Sequence, residues 1–246
     1  MPRAASRRAQ AAARRVVASR AGSGRPGTEK ASGEGAHAGA ARGILLSAGR
    51  IEWALSWARR GLGPLTVAPL EGWTVIVPAG PPMARPPYDD PVRTLAGRPV
   101  GIGMRPAIGL FQVGRQAVVT VQAGRWRPVH RWAIWTRHDA LVNTPDLPPA
   151  RITHMAAVAG AVGGALLAGA EPALWQLWRD GSLQPAEVLE GTFRLLGLPG
   201  HDVLTGEREP AALLGARTVE PNPRHARAFD RLIEEQARER SEQEAP

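Results

Sequence analysis

The chain has 246 residues, a formal net charge of +9 and no cysteine. That length suits one large domain or two small ones, and a hydrophobic share of 43% is enough for a buried core. The lack of cysteine excludes disulfides, thiolate zinc sites, iron–sulfur clusters and cysteine nucleophiles, and it fits a reducing compartment.

The charge is unevenly placed. Residues 1–43 hold nine basic and two acidic residues, and residues 85–137 hold nine arginines against Asp89 and Asp90. Residues 138–246 reverse the balance, with ten arginines against sixteen acids. A basic tail and a basic centre therefore precede an acidic end, which the whole-chain charge conceals. All the basic residues but Lys30 are arginines, a bias that a GC-rich genome also imposes.

Residues 1–43 read as a disordered basic tail. They have almost no large apolar residue beyond Val16 and Val17. No apolar run is long enough for a secretory signal, although the Arg-rich, acid-free stretch before Glu29 resembles an organellar transit peptide in composition. From residue 44 to 246 the pattern predicts one α+β domain, with a sheet part over 64–143 and a helical part over 150–243.

Ile44 to Arg60 carries apolar residues at three- and four-residue steps, which predicts an N-terminal helix ended by Arg59, Arg60 and Gly61. Leu65–Ala68 and Trp73–Val77 are β-branched runs separated by a turn. After the Pro-rich loop 78–87, Asp90 and Pro91 mark the N-cap and first position of a short helix at 91–97.

The pattern is then of period two. Strands are expected at 99–104, 107–113, 116–122, 128–136 and 140–143. Their short links imply an antiparallel meander of about five strands. The most amphipathic is 125–137. One of its faces carries Trp126, Pro128, His130, Trp132 and Ile134. The other carries Arg125, Arg127, Val129, Arg131, Ala133, Trp135 and Arg137. The first face is expected to anchor the sheet to the C-terminal helices, with Trp126 and Trp132 more buried than Arg125, Arg127 and Arg131.

Prolines introduce the C-terminal helices, expected at 150–169, 173–179, 186–197 and 211–215, with a last one after Asn222-Pro223. Met155 to Ala170 lacks charge, but its Ala and Gly content predicts a helix buried in the protein rather than a membrane span. The four-residue spacing of Ala156, Gly160, Gly164 and Ala168 suggests close backbone packing.

Motifs for catalysis are sparse. The six histidines lack HExxH spacing, leaving only a dispersed set such as His138, Asp139 and His154. There is no nucleophile elbow, Walker A or dinucleotide fingerprint, and neither a metal nor a cofactor is expected. Tyr88, Asp89 and Asp90 form the one candidate pocket loop. Nucleic-acid binding would use the tail with Arg125, Arg127, Arg131, Arg137 and a stacking Trp135. The favoured reading is a non-catalytic interaction or regulatory protein of the cytoplasm that contacts another protein. Nucleic-acid binding is the alternative, and an enzyme of unknown type comes third. The tryptophan pairs Trp53/Trp57 and Trp175/Trp178 are interface candidates wherever they prove exposed.

Overall fold

The computed structural model describes residues 42–124, 129–162 and 169–244. Among these, eight strands form one sheet: β1 (Gly43–Ser47), β2 (Leu65–Leu70), β3 (Trp73–Pro78), β4 (Ala107–Val113), β5 (Gln116–Gln122), β6 (Arg131–Thr136), β7 (Ala140–Val142) and β8 (Arg217–Val219). Their order is β7-β6-β5-β4-β1-β3-β2-β8, and every neighbouring pair is antiparallel. The sheet thus exceeds the expected five strands.

The largest departure lies at the start. Residues 43–47 are not the first turns of a helix but the strand between β3 and β4. Leu46 pairs with Val75 on one side and Ile108 on the other. All five residues of β1 are buried. A strand covered on both faces reads as an unbroken apolar run, and a short run also satisfies helical spacing. Ser47 closes it: its hydroxyl donates to the Met104 carbonyl (2.6 Å) and accepts from the Gly49 amide (3.2 Å). The helix that follows, α1 (Ile51–Ala58), is therefore only eight residues long.

The next elements follow the sequence closely. The helix α2 (Pro91–Ala96) is capped by Asp90, whose carboxylate accepts from the Arg93 amide at 2.9 Å. The meander β4–β7 has the expected order of antiparallel neighbours, but 99–104 is no strand. It ends in a 3-10 turn at Ile102–Met104, while the Val100 amide donates to the Gln122 side chain (2.8 Å).

The C-terminal part supplies α3 (Ile152–Gly160), α4 (Ala170–Arg179), α5 (Pro185–Leu195), α6 (His201–Thr205) and α7 (Pro223–Glu244). Pro172 falls inside the first turn of α4, where its missing N–H has no helical partner to lose. The stretch expected as a helix over 211–215 is a 3-10 turn at Pro210–Ala212. Both α6 and β8 are additions that no sequence pattern marked. Gly164 and Ala168 lie outside the described residues. At Gly160 an added Cβ would meet nothing within 4 Å, so no close backbone packing exists there. No helix among the described residues is long and apolar enough to cross a membrane.

Both sheet faces are covered. On one, Ile44, Leu46, Val119 and Trp135 pack with α3, α4, α5 and α6. On the other, Leu45, Ile76, Phe111 and Ile134 pack with α1 and α2. The two faces of β6 thus serve opposite layers. Trp132 and Ile134 belong with the α1–α2 layer, while Ala133 and Trp135 meet the C-terminal helices, the reverse of the expected anchoring.

Candidate functional site

The strand-borne arginine set is only partly visible. Arg125, Trp126, Arg127 and Pro128 lie outside the described residues. Arg131 is half-buried and donates to the Pro149 carbonyl at 3.4 Å, and Arg137 is exposed. Trp132 is half-buried like Arg131. Trp135 is 0% exposed. Its ring lies under the C-terminal helices and offers no face on which a base could stack. Alternation along β6 misled here because the second face is covered by helices rather than by water.

The Tyr88–Asp90 loop is held at several points. Asp90 is committed to its cap. Its carbonyl and that of Tyr88 both accept from the Thr94 hydroxyl, at 2.7 and 3.1 Å. The Tyr88 ring meets Phe229 of α7 edge-on, with centroids 4.9 Å apart. Asp89 is exposed. The two neighbouring carboxylates therefore do different things, and Asp90 is occupied.

A pocket does open beside this loop, starting at Pro91. It is a cleft open to solvent, with a cavity volume of only about 20 Å³, and is lined by Leu62, Leu65, Pro82, Pro91, Leu95 and Arg98, with the Thr94 hydroxyl already engaged. Two backbone hydrogen bonds fasten its walls: the Ala79 amide to the Pro64 carbonyl (3.0 Å) and the Met83 amide to the Leu62 carbonyl (2.7 Å).

Arg98 is its charged member. The guanidinium carbon lies 3.7 Å from the centroid of the Trp57 ring, and one Nη donates to the Trp57 carbonyl. The indole N–H of Trp57 in turn donates to the Pro99 carbonyl at 3.0 Å. No carboxylate among the described residues pairs with Arg98. Burial, with the Arg60 charge added to it, pushes its pKa down to about 9. Nothing in the spacing of the sequence marks Arg98. The only local signal is Gly61, where a Cβ would come within 2.6 Å of the Arg98 Nη1.

Each tryptophan pair divides between core and surface. Trp57 and Trp178 are 5% and 1% exposed, whereas Trp53 and Trp175 are 56% and 47% exposed. Trp175 has the Arg179 guanidinium 5.3 Å from its ring. Trp53 lies against the 3-10 turn, where a Cβ on Gly103 would come within 3.0 Å of the indole. The neighbouring Ile102 is 63% exposed. An exposed tryptophan on α1 and an exposed isoleucine on the 3-10 turn thus flank Gly103, and α1 is bounded by exposed Arg50, Arg59 and Arg60 with only Glu52 opposing them.

The dispersed metal set is not assembled. Asp139 accepts from the Thr136 hydroxyl (2.9 Å), and His154 Nδ1 accepts from the Arg151 amide (3.0 Å). No group of three or more histidine or acidic side chains among the described residues could hold a metal ion. Comparison with models of protein families, with curated proteins and with solved structures finds no match.

Proposed function

We propose that this protein acts by contact rather than by catalysis, holding another protein through the surface formed by Trp53 and Ile102. The observation that carries the reading is the exposure of both side chains, with the Trp53 ring against Gly103 and Ile102 next to that glycine in the chain. Tryptophan buries a large area with few rotatable bonds, which makes it an efficient anchor at interfaces. The arginines at both ends of α1 give this surface a positive rim, so the partner it suits is an apolar protein surface edged with acidic groups. A cytoplasmic setting belongs to the same proposal and draws its support from the cysteine-free composition.

The test places a photo-crosslinking residue at position 50 and compares the full chain with Trp53→Ala and Ile102→Ser. A single crosslinked protein, lost or weakened roughly tenfold or more by either substitution, is the expected result. Unchanged capture by both variants, or the protein recovered alone, would overturn the reading. The basic segments of the sequence sustain nucleic-acid binding as the rival. Steeply salt-dependent retention of DNA or RNA, indifferent to Trp53→Ala, would favour that rival.

A further inference from the structure

The pocket beside α2 contains a charge with no counter-ion. Thr94 and Arg98 are the only polar side chains lining it, and the Thr94 hydroxyl is spent within its own helix turn. Arg98 carries five N–H donors, yet among the described residues it makes one hydrogen bond and no ion pair. Arg98 is half-buried and none of its nitrogens is buried without a partner, so its remaining donors face the open side of the cleft and are free for an anion arriving from solvent. The surroundings favour an anion, since Arg60 is also positive and no acidic side chain lines the pocket. The position is built for Arg98: Gly61 leaves the space that Nη1 occupies, and the Trp57 ring supports the guanidinium plane.

We propose that this pocket binds a carboxylate attached to a short apolar chain, the carboxylate on Arg98 and the chain against Leu62, Leu65 and Leu95. The planar fork of a guanidinium matches the two oxygens of a carboxylate. The apolar walls reject a fully hydrated dianion and reward a hydrocarbon tail. This site is separate from the Trp53 surface, and its test is independent of that proposal.

Hexanoate serves as the probe, titrated into the 15N-labelled full chain, with hexan-1-ol and sulfate as controls. The reporter is the indole N–H signal of Trp57, identified by its loss in Trp57→Phe. Its ring lies against the guanidinium, so a bound carboxylate must move the signal. The expected result is a saturable shift with hexanoate at millimolar concentration and none with either control. Arg98→Gln should weaken binding by about tenfold or more. Should Arg98→Gln fail to fold, Gly61→Ala displaces the guanidinium without removing it and should weaken hexanoate likewise. No saturable shift, equal binding of sulfate, or hexanoate affinity unchanged in the folded variant would overturn the proposal.

Discussion

His130 shows how one side chain ties stability to pH. Its ring is stacked on that of Trp132, with centroids 4.5 Å apart, and its Nε2 is buried with no partner among the described residues. Burial first, and the Arg105 charge second, push its pKa down to about 3. The folded chain keeps this imidazole neutral, while the unfolded chain takes up a proton near the ordinary value of about 6.5. Its contribution is fully present above that value, is lost as the pH falls from there towards 3, and stays level below. We expect the urea midpoint to fall from about pH 7 to about pH 5, at up to ~1.4 kcal/mol per pH unit from this residue. In His130→Leu the fall should shrink; parallel profiles for the two proteins would sink this account. Trp135 marks what a single residue conceals: it reads as a surface group by alternation, and only the helices packed over it decide otherwise.

At the scale of elements, α4 and α5 are clasped by one polar pair inside an apolar layer. The Trp178 indole N–H donates to the Thr192 hydroxyl at 2.9 Å, and that hydroxyl donates onward to the Val188 carbonyl at 2.6 Å. Gly191 lets the helices approach, since a Cβ there would come within 2.8 Å of Leu177. Thr192→Val keeps the shape and strands the buried N–H. We expect a loss of about 1–3 kcal/mol in chemical denaturation, with a smaller loss for Thr192→Ser, which retains the acceptor. Equal losses for the two would point to packing instead. Elements with a local signature were legible in advance: α2 through its Asp90–Pro91 start, β4 and β5 through alternation, α5 and α7 through proline at the first position. Neither β1 nor β8 has such a signature. The first is masked by burial on both faces, and the second is three residues long and owes its form to pairing with β2.

Across the whole molecule the sheet ends in two short strands, β7 and β8, each of three residues. Short edges leave little unpaired backbone for another chain to extend. The helix α7 leaves this body early. Ala226 is buried, Phe229 meets Tyr88 and Glu234 lies 3.8 Å from Arg85, whereas Ala237, Arg238 and Glu239 are exposed. A chain stopped after Ala237 should match the full chain within about 0.5 kcal/mol in thermal unfolding. A loss of several kcal/mol would show that the distal turns pack. The strand order was the part least open to sequence reasoning, because hairpin neighbours can be read locally while the insertion of β1 between β3 and β4 is a long-range choice. That insertion also sets the order of assembly during synthesis. Of the described strands the middle one leaves the ribosome first, and it lacks its sheet neighbours until β3 emerges on one side and, later, β4 on the other. Until then its Ile-Leu-Leu run is an open edge for chaperones or for a neighbouring nascent chain. Slowed translation between residues 48 and 107 should therefore lower the folded yield more than an equal delay after residue 122.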